Sequence, residues 1–372
     1  MKTFSTSWLE ISKSALLHNF KQLKQNLSPK TKTLCVVKGN AYGHDLKNVV
    51  EILNKLNPGF YGVFDIQDAL IIRKSNKKVP ILVMCPSEIN FIPLAITHNL
   101  SLSVSSNEVL AQIIKKKLSK PLKIHLCIET GLGRDGVPFE ELSRTLALIH
   151  NKKNIVIEGL YTHFSGAESR QFDMLTRVQI TKLLEWESAI QNLGIKPITH
   201  ASGTAGSFLG KQFQLDMCRI GLGLYGLWPS DETKNLAKKI LKPALSWKTK
   251  VADIKELPKN HGIGYDVSFI TDKPTKVAVV PVGYYDGIPR AATNKAWMLV
   301  QGKKVPLRGK VMMNMCVLEV SNLDVKIGDE VVVIGTQGKS RVTTEEWAEW
   351  SGTINYEIVT KINPLLPRKL VK

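Results

Sequence analysis

The chain has 372 residues, 43% of them apolar and 22% charged, with 26 glycines and 17 prolines; that apolar content excludes wholesale disorder, and the length favours two domains over one. No apolar run approaches the roughly 18 residues of a membrane span, and Met1–Glu10 lacks the apolar stretch of a secretory leader, so the reading is a cytoplasmic protein with no membrane partner. The net charge is +19, but the basic residues are scattered singly or in short runs such as Lys115–Lys117, without zinc-finger spacing or a sustained basic helix, which argues against nucleic acid as a partner.

From Trp8 to about Gly226, short apolar runs alternate with longer amphipathic stretches, the grammar of βα units around a parallel sheet. The predicted strands are Thr33–Val37, Gly62–Phe64, Val79–Met84, Ser101–Val104, Lys123–Ile128, Val156–Thr162, Pro197–Thr199 and Asp216–Ile220. Eight such strands suit a closed (β/α)8 TIM barrel, whose functional groups stand on the loops after the strands' C-terminal ends. After Ser230 the pattern changes. Ser246–Ile254, Thr275–Val282, Ala296–Val300, Val305–Leu307, Met315–Val320 and Glu330–Ile334 are β-rich and separated by turn residues, which predicts an all-β C-terminal domain. The polar segment Asp231–Pro243 reads as the linker, giving a barrel over residues 1–235 and a β domain over 236–372. The five cysteines, Cys35, Cys85, Cys127, Cys218 and Cys316, lie far apart with no CxxC pair, the pattern of reduced core residues.

The first barrel strand runs straight into Lys38-Gly39-Asn40-Ala41-Tyr42-Gly43-His44. A lysine that ends an apolar strand stands at a barrel's catalytic mouth, where burial lowers its pKa and suits it to Schiff-base chemistry; the alternative is one more surface lysine in a basic chain. After the last two barrel strands come His200-Ala201-Ser202-Gly203-Thr204-Ala205-Gly206 and Arg219-Ile220-Gly221-Leu222-Gly223. Small residues there let backbone N–H groups approach a phosphate, and barrels frequently bind phosphate at that corner.

In this order the motifs resemble those of the alanine racemases, a pyridoxal-phosphate family built from a barrel and a β domain. The likeness extends to Thr130-Gly131-Leu132-Gly133-Arg134, Tyr161-Thr162-His163-Phe164, Gly264-Tyr265, Val282-Gly283-Tyr284-Tyr285-Asp286-Gly287-Ile288-Pro289-Arg290 and Tyr356-Glu357. The resemblance implies that Lys38 holds pyridoxal 5'-phosphate through its amine. Tyr42, Thr204, Tyr356 and the backbone at Gly221 and Leu222 would grip the phosphate, since phenols, hydroxyls and amides donate to a dianion. Arg219 would face the pyridine nitrogen; a guanidinium has no acceptor, so it leaves that nitrogen unprotonated and weakens the ring as an electron sink. Racemisation needs a proton taken from one face of Cα and another given to the opposite face. By resemblance Lys38 and Tyr265 are the two acid/base groups, with His163 and Arg219 as a relay to the tyrosine. The family's second-domain tyrosine comes from a partner subunit, which implies a homodimer with shared sites. Arg134 would bind the substrate carboxylate, together with Met313 of the partner copy, and Tyr284, Asp286 and Arg290 would shape the entrance, although Asp286 beside Gly287 also suits a turn.

The chain departs from the family pattern where a carbamylated lysine commonly braces the substrate arginine: Cys127 stands there instead. The readings for Arg134 are then support from Glu129, a bound anion, or a looser hold. Glu129 and Gly203 replace the usual Asp and Asn, Met312-Met313-Asn314 replaces a Cys-Met-Asp pattern, and Leu365 stands where an arginine is expected. The function implied is interconversion of L- and D-alanine for peptidoglycan synthesis. The alternatives are a racemase of broader specificity and a non-catalytic pyridoxal-phosphate-binding protein, which needs no second domain; a barrel-type decarboxylase is disfavoured by the motifs around Tyr42, Arg219 and Tyr265.

Overall fold

A computed structural model describes residues 5–86 and 88–372; the first four residues of the stretch read above as lacking a leader lie outside them. Contacts divide the chain into two units, one of residues 15–41 and 46–242, the other of the chain up to Ser14, residues 42–45 and residues 243–372. The first strand, β1 (Trp8–Ser12), belongs to the second unit.

The first unit is a parallel sheet of eight strands, β2 (Lys32–Val36), β3 (Phe60–Val63), β4 (Ile81–Pro86), β5 (Ser101–Val104), β6 (Leu122–Cys127), β7 (Ile155–Tyr161), β8 (Ile198–His200) and β9 (Met217–Ile220). All eight coincide with predicted strands to within two residues at either end. Their order, β8-β7-β6-β5-β4-β3-β2-β9, is that of a barrel laid open between β8 and β9. Asp216 closes much of that seam: its N–H donates to the Thr199 carbonyl at 3.1 Å and its carboxylate accepts from the Thr199 N–H at 2.9 Å. The strands are buried on both faces because parallel sheets are covered on both; Leu34, Tyr61, Ile81, Leu102, Leu126 and Ile220 are among the buried apolar residues, and Ser103, His125, His200 and Arg219 among the buried polar ones. Helices between them begin on side-chain caps where the sequence supplies one, as at Asp65 for Ile66–Ser75 and Ser106 for Asn107–Lys115.

The segment read as a linker is half helix. Asp231–Ala237 starts on Ser230, whose hydroxyl accepts from the Thr233 N–H, and it buries Thr233 and Ala237. Glu232 then accepts from the Ser169 hydroxyl and the Arg170 N–H, which pins the helix to the barrel unit. Polarity hid a capped first turn with Asp231 and Glu232 in it.

The second unit is built on β10 (Leu245–Lys250), β11 (Asp253–Leu257), β12 (Gly262–Ile263), β13 (Phe269–Ile270), β14 (Thr275–Val280), β15 (Trp297–Val300), β16 (Lys303–Arg308), β17 (Cys316–Glu319), β18 (Glu330–Gln337), β19 (Ser340–Val342) and β20 (Arg368–Val371). The main sheet runs β11-β14-β17-β16-β15-β18-β10-β1-β20, with β19 paired to β18, and β12 and β13 form a separate ribbon. The run predicted as one strand, Ser246–Ile254, is two, β10 and β11, which pair with different neighbours, β18 and β14. Two short helices join the strands: Thr344–Ser351, opened by a capping box between Thr343 and Glu346, and Asn355–Thr360. β1 lies antiparallel to β10 and parallel to β20, so the segment from Trp8 to Ser12 that the sequence placed in the barrel is part of this sheet. Its alternation of buried and half-buried residues gives no hint of which sheet takes it.

Candidate active site

Lys38 follows directly on β2 and Val37, at the C-terminal mouth of the barrel. The next four residues turn left-handed: Gly39 (φ 61°), Asn40 (54°), Ala41 (53°) and Tyr42 (53°). Non-glycine residues pay roughly 1–2 kcal/mol each for that conformation, and the turn holds because the Ala41 N–H donates to the Val37 carbonyl at 2.9 Å and the Asn40 side chain accepts from the Leu46 N–H at 2.8 Å. Lys38 is the first residue of this turn and is exposed to solvent. Its pKa is lowered by desolvation and then by the Arg134 and Arg219 charges, with Asp135 opposing. An amine easier to deprotonate is a better nucleophile toward a carbonyl.

Arg219 is on β9, buried, and donates five hydrogen bonds: to His200 Nδ1 at 2.7 Å, the His200 carbonyl at 3.2 Å, the Thr162 carbonyl at 2.7 Å, His163 Nδ1 at 2.9 Å and the Ala201 carbonyl at 2.7 Å. Its guanidinium lies 5.3 Å from the Tyr161 ring centroid, and that ring stacks on His200 at 5.0 Å. Every acceptor is neutral. His163 is pushed down to about 3 by burial and then by the charges of Arg219, Arg134 and Lys38, so its ring is uncharged at neutral pH. The backbone that carries His163 is held by Gln179, which donates to the His163 carbonyl and to Thr130 Oγ1 and accepts from the Ser165 N–H.

At the corner formed after β8 and β9, the Thr204 hydroxyl accepts from the N–H groups of Gly221 and Gly223, both at 3.3 Å. Two backbone donors therefore converge on one hydroxyl, which keeps its own proton to donate, with Leu222 opening a buried turn between the two glycines. A Cβ on Gly223 would come 2.9 Å from the Thr204 methyl, so the approach needs glycine.

Arg134 is not held by Glu129. The Glu129 carboxylate instead accepts from the N–H groups of Gly131, Leu132 and Gly133, shaping the loop that carries the arginine. Arg134 Nε pairs with Asp135 Oδ1 at 2.8 Å. Cys127 is buried and its thiol is pushed up to about 12, chiefly by desolvation, so it supplies no anion. Sequence reasoning missed Asp135 because a carboxylate next to the arginine carries no spacing signal.

In the second unit, Tyr42 and Tyr356 are brought together, their ring centroids 6.2 Å apart. Burial pushes the Tyr42 phenol up to about 12, which keeps it a donor. Gly43 (φ +78°) is required beside them, since a Cβ would strike the Val359 carbonyl at 2.1 Å. Arg368, which the sequence did not single out, donates to the Gly43 carbonyl and to those of Asn363, Pro364, Leu366 and Ile362. Tyr265 follows Gly264 (φ 75°) in a short turn and is 67% exposed, as is Met313 at 54%. Tyr284 and Arg290 line a cavity of about 480 Å³ with Glu357 and Lys361. Asp286 is a turn residue: it accepts from the Gly283 N–H at 2.9 Å.

Residues 11–229 match the family model "Alanine racemase, N-terminal domain" and residues 244–370 match "Alanine racemase, C-terminal domain". The chain belongs to the alanine racemase family. It is 36% identical to the alanine racemase of Halothermothrix orenii, over 98% of this chain and 96% of that one, and 37% identical to that of Leptospira interrogans, over 100% and 97%. Among solved structures it is similar to the alanine racemase of Bacillus anthracis with bound L-Ala-P, at a TM-score of 0.94 and 33% identity, covering 100% of this chain and 96% of that one. It is similar too to the alanine racemase of Streptomyces lavendulae, at a TM-score of 0.93 and 26% identity, covering 100% and 98%. The barrel and mostly antiparallel sheet are thus the alanine racemase fold, and both family domains are represented.

Proposed function

We propose that this chain is a pyridoxal-phosphate-dependent racemase that interconverts L- and D-alanine, acting in the cytoplasm as a homodimer and supplying D-alanine for peptidoglycan. The observation that carries the reading is the meeting, at one barrel mouth, of a lysine of lowered pKa with a buried arginine that is surrounded by neutral acceptors. End-to-end likeness to alanine racemases supports the choice of substrate.

The donor set fits the cofactor. The Thr204 hydroxyl, which accepts from the Gly221 and Gly223 N–H groups, keeps its own proton to donate to a phosphate, and Lys38 supplies an amine. Leu222, Tyr42 and Tyr356 complete the phosphate contacts in this reading. Bound there, pyridoxal phosphate supplies a carbonyl for the amino acid's amine and a conjugated ring that acidifies its Cα–H. Lys38 takes or gives the proton on one face of Cα, and the partner subunit's Tyr265 does so on the other. Arg219 would donate to the pyridine nitrogen; it keeps its own proton and has no acceptor for another, so that nitrogen would stay unprotonated. His163, neutral, orients Arg219 and completes the relay. Arg134 fixes the substrate carboxylate, together with the backbone of Met313 of the partner subunit.

The test is incubation of the purified protein, loaded with pyridoxal phosphate, with L-alanine in D2O. D-alanine carrying deuterium at Cα is the expected product; release of CO2, or alanine recovered unlabelled and unracemised, overturns the reading. The same assay with L-serine and larger amino acids separates an alanine enzyme from one of broad specificity, because one methylene is worth only about 1–3 kcal/mol of discrimination.

A further inference from the structure

Arg219 has only donors, so the Nδ1 atoms of His200 and His163 must accept from it. Neither ring can then be an imidazolium, and each carries its single proton on Nε2. The consequence runs inward. His200 Nε2 lies 2.9 Å from His125 Nδ1, and since His200 donates there, His125 Nδ1 accepts. His125 must in turn carry its proton on Nε2, which faces Glu158 Oε2 at 3.3 Å. An ionised carboxylate only accepts. Four side chains from β9, β8, β6 and β7 thus form one hydrogen-bonded line with a single permitted direction.

Glu158 is anchored at the far end of the barrel. Its partners besides His125 are Ser101, which opens β5, and Lys123 Nζ at 3.2 Å, near the start of β6. Desolvation works against its charge, yet the hydrogen bonds from His125 and Ser101 hold its carboxyl down to about 2. The backbone makes room for the line. Gly159, next to Glu158, would place a Cβ 2.1 Å from His125 Nδ1, so the imidazole occupies space that only glycine leaves. His125 and His200 are buried and stand edge to face at 5.2 Å.

We propose that Glu158 and His125 are positioning residues for the reaction: the carboxylate at the barrel floor dictates, through two buried imidazoles, that His200 turns a lone pair toward the Arg219 guanidinium. Replacing the carboxylate with an amide removes the directional constraint at that end and leaves only the one set by Arg219, because an amide also donates. In the reversed line His200 presents an N–H to the N–H of Arg219, and the guanidinium turns from its place at the site. The inference rests on the racemase reading for its kinetic part only.

The experiment is Glu158→Gln, compared with Glu158→Asp and the unchanged protein, each loaded with pyridoxal phosphate and labelled with 15N-histidine. Long-range 1H–15N spectra report which ring nitrogen holds each proton. The unchanged protein and Glu158→Asp are expected to show Nε2–H at His200 and His125. Glu158→Gln is expected to show a second population with Nδ1–H, and a kcat lower by roughly 10–100-fold, the range seen when carboxylates that orient histidines are removed elsewhere. The KM for alanine and the visible absorption of the bound cofactor are expected to stay within about twofold. An Nδ1–H at His200 in the unchanged protein overturns the proposal, as does a Glu158→Gln enzyme whose tautomers are unaltered, whatever its rate. Should Glu158→Gln fail to fold, the spectrum of the unchanged protein still decides. An unchanged protein that does not racemise alanine defeats the functional reading, and its histidine spectrum still judges the line.

Discussion

Gly159→Ala inserts one methyl group into the barrel interior. That methyl would stand 2.1 Å from His125 Nδ1, where ordinary contact begins at 3.4 Å, so the imidazole must retreat by about 1.3 Å. A shift of that size breaks the 2.9 Å bond to His200 and the 3.3 Å bond to Glu158. Overpacking costs about 1–3 kcal/mol and each buried polar group left unsatisfied about 1–3 kcal/mol; allowing for partial relaxation, the expected loss is about 3–5 kcal/mol. For a domain of this size each kcal/mol lowers Tm by roughly 2–4 °C, so circular dichroism at 222 nm should show melting about 6–20 °C earlier. His125→Ala removes the obstructing ring. The double variant should therefore be more stable than the two single losses together predict, by about 1 kcal/mol or more. A Gly159→Ala protein that melts within 2 °C of its parent, or a double variant whose losses simply add, refutes the packing argument.

The buried histidines make the barrel acid-sensitive. His163 has a pKa of about 3 folded against 6.5 unexposed to the fold, so between those values the unfolded state binds more protons and stability rises with pH. Lowering pH from 7 to 5 should cost about 2 kcal/mol for His163 alone, with His200 and His125 shifted in the same direction; urea titrations giving equal stability at both values would contradict this. Glu129→Ala removes the acceptor for three loop N–H groups and should raise the KM for alanine several-fold while cofactor absorption is unchanged; an unaltered KM would free the loop from that role. Asp135→Asn weakens the 2.8 Å brace on Arg134 and should act in the same sense, read by steady-state kinetics. Thr343→Ala deletes half of a capping box and should cost about 1 kcal/mol in chemical denaturation, with no effect on turnover.

The barrel strands were legible because each is a short apolar run bounded by turn residues, and Ser101–Val104 coincides with β5 at both ends. The edges of the second sheet were not. β1 and β20 neighbour each other in parallel although more than 350 residues separate them, as Leu9 opposite Arg368 illustrates, and local periodicity cannot pair segments so remote. At the site, Lys38, Thr204 and Arg219 stood out as polar groups at strand ends followed by glycine loops. Glu158 was visible in principle, as a lone carboxylate within the apolar run Val156–Thr162, a place where an unpaired charge is costly. His125 and His200 offered less, since which ring nitrogen faces which neighbour is a property of the closed sheet. Asp135 acts through a side-chain pair with its immediate neighbour, which carries no spacing signal, and Arg368 through backbone carbonyls whose geometry the sequence does not display.

The seating of β1 between β10 and β20 sets an order of events during synthesis. β1 has no hydrogen-bonding neighbour in this sheet until the ribosome has passed Lys250, and its second neighbour, β20, is made later still. The barrel strands, all made by Ile220, can associate well before then. The amino-terminal segment must therefore wait as an unpaired edge while the rest of its sheet is still emerging, an interval in which it is open to chaperones or to the same strand of another nascent copy.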